Sequence, residues 1–222
     1  EWSTAVASNV VKIRVASDAI YSISGRATYE NNPKTGLNGL TVLLRKGSAI
    51  VDTVITGADG SYSFDHLTGG SYGLIISSSA PGGQWQAWSG VNNTDYLLVS
   101  KHVAGTQLLP SEPPVIQTSA SVKLPHPVIN NTDALAIRQA SKFPTTGYSY
   151  FDIPKWVFSG TTAATRIDTF ELACGDIVRD IRGLCAGDVN GTYVPTGGYK
   201  TAVPVQTHGP VQTHGRASLP SS

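Results

Sequence analysis

Residues 56–76 read "TGADGSYSFDHLTGGSYGLII". Gly57, Asp59 and Gly60 carry turn chemistry, since Gly tolerates positive φ and Asp bonds its own backbone. After that turn Tyr62 and Phe64 alternate with Ser61 and Ser63, the period of a strand with one buried face. A second turn through Gly69 and Gly70 leads into "SYGLIIS", another strand. Upstream, "SISGRATYE" (22–30) is a strand and "NNPKTGLNG" (31–39) a polar loop. "LTVLLRKG" (40–47) and "AIVDTVIT" (49–56) are strands joined tightly through Gly47. Strands at this spacing, with Gly and Asp between them, predict a β-sandwich over 22–80.

Gly60, Tyr62, Phe64, Leu67, Gly70 and Tyr72 resemble the hallmark of carboxypeptidase-regulatory-like and Cna B-type sandwiches. That resemblance implies a stalk or spacer module rather than an activity. Some members of that family form an internal Lys–Asn isopeptide bond. The strand "SYGLIIS" offers neither Asn nor Asp, so none is expected here.

Composition narrows the classes. The chain has 222 residues, 14% of them charged, and a formal net charge of +1. No basic footprint for nucleic acid is present. No apolar run approaches the ~20 residues that span a bilayer. There is no Met, and position 1 is Glu, so a processed product or excised fragment is expected. The two cysteines, Cys174 and Cys185, suit a disulfide in an oxidising compartment; two buried free thiols are the alternative.

Residues 6–15, "VASNVVKIRV", end in clean alternation. Val11, Ile13 and Val15 share one face, and Lys12 and Arg14 the other. This strand either pairs within its own sandwich or adds to a neighbouring copy. The assigned organisation is an N-terminal extension (1–21), the sandwich (22–80), a second unit (81–195) and an extended tail (196–222). The tail holds the tandem "PVQTHGPVQTHG", whose His208 and His214 lack the partners of a strong metal site.

The second unit uses one tetrapeptide twice. Asn92-Asn93-Thr94-Asp95 and Asn130-Asn131-Thr132-Asp133 each precede an apolar, basic run. Helices are expected near 93–104, with Leu97, Leu98, His102 and Val103 at helical spacing, and near 131–142, with Leu135, Ile137 and Ala140. A Pro-punctuated connection joins them. "KWVFSG" and "TFELAC" read as strands, and "DIVRDIRGLC" stays open between helix and strand.

A helix-closing calcium loop draws oxygens from positions 1, 3, 5, 7, 9 and 12. With Asp95 as the closing residue, Asn92 fits position 9, but positions 1, 3 and 5 are Gln84, Gln86 and Trp88. With Asp133 closing, those positions are Val122, Leu124 and His126. An opening half survives elsewhere, in "GDVNGTY" (187–193), as Asp188, Asn190 and Thr192. The segments "VNNTDYLLVSKHVAG", "INNTDALAIRQASKF", "KWVF" and "LCAGDVNGTYVP", in this order, resemble a dockerin-like module of bacterial secreted and surface proteins. The resemblance implies calcium binding and docking to a partner. The expected arrangement is a split site: Asp188, Asn190 and Thr192 with Asn92 and Asp95, or with Asn130 and Asp133. The competing reading makes each tetrapeptide a helix N-cap and nothing more. Asn92, Asn130 and Asn190 also open N-glycosylation sequons, a by-product of loop chemistry.

Trp85 and Trp88 either stack on a sugar or pack the junction between the two units. No nucleophile elbow, zinc-protease helix or phosphate loop is present, so no catalysis is expected. The expected fold is mainly β, a sandwich plus a dockerin-like α+β unit with two short helices. The expected function is an extracellular structural subunit of a bacterial filament or surface assembly, its partners other copies of itself or a scaffold protein. A docking module of a larger secreted enzyme or adhesin, and a glycan-binding module, are the rival readings.

Overall fold

The computed structural model describes residues 20–77, 79–80, 83–84, 87–124, 128–159 and 167–195. The expectations placed on Val11, Ile13, Val15, Trp85, His208, His214 and the tail lie outside them. The fold is mainly β, with two packed sheets and a short helical region.

Strand β1 (Tyr21–Tyr29) organises the first sheet. The second sheet begins with the hairpin of β2 (Thr41–Lys46) and β3 (Ala49–Ile55). Strand β4 (Ser61–Leu67) returns antiparallel to β1, with Ile23 opposite Phe64 and Gly25 opposite Tyr62. Strand β5 (Gly70–Ser77) pairs with β2. A small hairpin of β6 (Ser79–Ala80) and β7 (Gly83–Gln84) follows. Next come helices α1 (Asn93–Val103), α2 (Val115–Ala120) and α3 (Asn131–Ala140), and one 3-10 turn, Gly147–Tyr150. Among the described residues four strands follow: β8 (Trp156–Phe158), β9 (Ile167–Leu172), β10 (Ile177–Val178) and β11 (Ile181–Cys185).

These last strands complete the sandwich. β10 and β11 run parallel to β1, at Ile23–Ser24 and at Ala27–Tyr29. β8 pairs antiparallel with β11, and β9 with β5. The second sheet therefore runs β3-β2-β5-β9. A parallel partner for β1 demands a long crossover, and the helical region supplies it. The expected boundary at 80/81 thus runs through a shared sheet system, because strands from both sides of it are paired. "DIVRDIRGLC" resolves into β10 and β11, whose short apolar runs pair with β1 instead of forming one helical face.

The core follows the period of two. Tyr62 and Phe64 are buried, while Ser61, Ser63 and Asp65 are exposed. Their rings meet edge to face at 6.0 Å. Val42, Leu44, Tyr72, Leu74, Ile76, Phe170 and Leu172 fill the opposing sheet's buried face. Burying one such aromatic contributes about 2–3 kcal/mol. Gly60 makes the leading turn fit. Its φ is +84°, and a Cβ there would lie 2.0 Å from the Ala27 carbonyl oxygen. That approach lets Ala27 N–H donate to Gly60 O at 2.8 Å, tying the turn to β1.

Three details depart from expectation. The cysteines form no disulfide: Cys174 is exposed beyond the end of β9, while Cys185 ends β11 inside the core. Leu97 and Leu135 face solvent, and the buried stripes use Val99 in α1, and Ala134, Ala136, Ile137 and Ala140 in α3. The Pro-punctuated connection contains α2, where Val115, Ser119 and Ala120 are buried. No helix among the described residues is long and apolar enough to cross a membrane.

Candidate metal centre

The two tetrapeptides start α1 and α3 in the same way. Asn92 is the N-cap of α1 at φ −143°, ψ −178°, and Asn130 that of α3 at φ −142°, ψ −176°. Each Asn side chain accepts from the Thr N–H two residues on, at 2.8 Å for Thr94 and 2.7 Å for Thr132. Each Asp returns the bond: Asp95 Oδ2 accepts from Asn92 N–H at 2.8 Å, and Asp133 Oδ2 from Asn130 N–H at 2.9 Å. This is a capping box with Asp in the place of the usual Glu. It satisfies N–H groups that the helix leaves bare and sets an acid against the positive end of the dipole.

The other carboxylate oxygen separates the two. Asp95 Oδ1 accepts from Asn190 N–H at 3.1 Å. Asp133 Oδ1 accepts from Lys123 N–H at 2.8 Å. Asn190 and Lys123 hold the same hydrogen-bonding station, and their neighbourhoods align as "DVNG" (188–191) against "SVKL" (121–124). The second station has Ser121 where the first has Asp188, and a lysine where the first has an amide. The Lys123 ammonium bonds Asp152 Oδ1 at 2.8 Å and the Tyr150 carbonyl at 3.2 Å.

At the first station Asp188 is fully buried and held by the sandwich. Tyr29, on β1, donates its hydroxyl to Asp188 Oδ2 at 2.5 Å and accepts from Cys185 N–H at 3.1 Å. Tyr193 N–H donates to Asp188 Oδ2 at 3.1 Å, and Thr192 N–H to Oδ1 at 3.0 Å. The Thr192 hydroxyl lies 3.0 Å from the Gly90 carbonyl oxygen, and Asn92 Nδ2 donates to that oxygen at 2.9 Å. Asn92 Nδ2 also reaches Thr192 Oγ1 at 3.1 Å. Gly90 is required here: its φ is +95°, and a Cβ would stand 2.3 Å from Asp188 Oδ2.

Asp95 and Asp188 are both 0% exposed. Burial, and then the Asp188 charge, push the Asp95 carboxyl up to about 7, against the backbone donors that lower it. The N–H groups offset part of the charge without removing the repulsion. One more atom is out of balance. Asn190 Oδ1 is buried with no hydrogen-bond partner, a costly state for an amide oxygen.

These residues fit a hard cation, which takes six to eight oxygens from carboxylates, amide and backbone carbonyls and water. With Asp95 at position 12, Gly90 falls at position 7, the station that contributes a backbone carbonyl. Asp188, Asn190 and Thr192 would stand at positions 1, 3 and 5 of such a loop. The sequence reading named every member except Gly90, whose carbonyl carries no side-chain signal. It also missed Tyr29 and Lys123, which reach the two stations only through the fold. Asp133 meets the Lys123 N–H instead. Among the described residues no cluster of three or more His, Cys, Asp or Glu side chains is suited to a metal; a cation here would have to draw on amide, hydroxyl and carbonyl oxygens beside the two carboxylates.

Trp88 is buried, donates its indole N–H to Ala186 O at 2.9 Å and packs edge-on against Phe151 at 5.7 Å. Its ring is therefore spent on packing the helical region against the residues after β11, and is not presented to a sugar.

No protein-family model matches the chain, and no curated protein matches it. Solved structures resemble parts of it. A Klebsiella pneumoniae 5-hydroxyisourate hydrolase shares 21% identity over 27% of this chain and 56% of its own, with a TM-score of 0.24. A group B streptococcus pilus 2b backbone protein shares 19% over 28% of each chain, TM-score 0.24. A DUF3823 family protein from Parabacteroides merdae shares 24% over 31% of this chain and 36% of its own, TM-score 0.23. The chain spans less than two thirds of each of these structures.

Proposed function

We propose that the chain is a non-enzymatic, extracellular structural subunit of a bacterial filament or surface assembly, joined to further copies of itself by strand addition. The observation that carries this reading is the edge of the second sheet, where among the described residues no strand pairs with the outer side of β3. β3 is an edge strand there, and it exposes Ile50, Val51 and Ile55 at 46%, 50% and 59%. Soluble proteins blunt such edges, because unpaired N–H and C=O groups recruit other strands. The segment that suits this edge is residues 9–15 of a second copy. Its Val11, Ile13 and Val15 would lie along the apolar face, and Lys12 and Arg14 would stand near the exposed Asp52 of β3. Strand addition of this kind draws affinity from main-chain hydrogen bonds and specificity from alternate side chains.

The test is deletion of residues 1–17, with electron microscopy of the purified protein, beside a Val51→Pro variant that blocks the edge. Loss of filaments in both supports the reading. Filaments unchanged by the deletion overturn it.

A further inference from the structure

We infer that the turn after α3 is a binding platform for an acidic saccharide, with Phe143 and Tyr150 as its stacking surface and Lys142 and Lys123 as its cations. The turn is held in one shape. Past α3 the chain doubles back, with Gly147 N–H donating to Phe143 O at 2.7 Å and Phe151 N–H to Tyr148 O at 2.9 Å. Gly147 packs so closely that a Cβ there would lie 2.2 Å from the Ala140 carbonyl oxygen. Buried Trp88 braces Tyr148 edge-on at 6.0 Å. On this turn the Phe143 and Tyr150 rings stack at 6.0 Å with 23° between their planes. They remain 45% and 39% exposed. One exposed aromatic is ordinary, but two rings stacked outside the core form a flat apolar face, and such clusters mark contact sites.

Charge selects the occupant. Residues 134–151 contain no acid, while Arg138 and Lys142 are exposed there. The Lys123 ammonium sits on the Tyr150 carbonyl at 3.2 Å. Asp152 is the first acid after this stretch, and Lys123 already pairs with it at 2.8 Å. On the same turn the Lys155 ammonium lies 3.9 Å over the Tyr148 ring. Flat rings flanked by ammonium groups fit a ligand with an apolar ring face and carboxylates on its rim, and charge-assisted hydrogen bonds favour those carboxylates. Exposed Thr145, Thr146 and Ser149 supply hydroxyls to match those of a sugar. The chain's own tail does not fit, since residues 196–222 carry Lys200 and Arg216 and no acid.

The experiment is isothermal titration of the full chain with a hexamer of galacturonic acid, beside the neutral cellohexaose and a polyglutamate of matched charge. The galacturonate hexamer should bind, more weakly as salt is raised. Tyr150→Ala removes an exposed ring and keeps the carbonyl that accepts from Lys123, so it should fold and bind about tenfold more weakly. Tyr150→Phe should bind as the wild type does. Lys142→Ala should weaken binding about two- to fivefold. The proposal is overturned if the galacturonate hexamer does not bind, if cellohexaose or polyglutamate binds as tightly, or if Tyr150→Ala, with an unchanged melting temperature, binds as the wild type does.

Discussion

Asn92–Asp95 and Asn130–Asp133 have the same sequence, the same backbone angles at the cap and the same reciprocal hydrogen bonds, yet they serve different ends. One faces Asp188 and Asn190, the other Lys123. The lesson is that a cap motif fixes how a helix begins and leaves open what the cap's spare oxygen will bind. That choice belongs to the residue that arrives from elsewhere in the chain.

The largest effects should come from the two aspartates. Asp133→Ala strands the N–H groups of Asn130 and Lys123 and should cost about 2–4 kcal/mol. By urea denaturation that loss should be equal in calcium and in EDTA. Asp95→Ala should cost a similar amount in EDTA and, if calcium binds at this station, a larger amount in calcium, because a ligand would be lost with the cap. A calcium-dependent cost for Asp133→Ala would break the distinction between the stations. Next in size are the caps. Asn92→Ala and Asn130→Ala should each cost about 1 kcal/mol in EDTA, and unequal losses there would show that the shared geometry does not mean shared energetics. Lys123→Ala should cost under about 1 kcal/mol, since its ion pair with Asp152 is partly exposed, at 27% and 39%. A large loss would mean that the ammonium holds the second loop more tightly than its exposure implies.

The cysteines repeat the contrast at smaller scale. Cys185 is fully buried, and burial pushes its thiol up to about 12, while Cys174 is exposed. Alkylation of the native chain should therefore label one thiol quickly, at Cys174, and Cys185 only after unfolding. Two equally reactive thiols would contradict the packing of β11.

The sandwich was legible because its signals are local. Gly60, Tyr62 and Phe64 declare turn and strand within five residues, and the structure buries the two rings as the alternation requires. The caps were legible for the same reason. The parallel pairing of β1 with β10 and β11 was not, because nothing near Ile177 or Ile181 encodes a partner more than a hundred residues upstream. The disulfide was misread because pairing depends on placement, and one cysteine lies in the core while the other faces solvent. At the candidate centre side-chain spacing exposed two half-motifs, and the fold brought the first beside the opening half at Asp188 and Asn190. Gly90 escaped notice because its contribution is a backbone oxygen.

The central claim is that the two stations differ in kind. Isothermal titration of calcium into the full, EDTA-stripped chain measures this most directly. The account predicts one site per chain, lost in Asp188→Asn and in Asn190→Ala and retained in Asp133→Asn. Two sites, none, or one that survives Asn190→Ala and disappears in Asp133→Asn would contradict it.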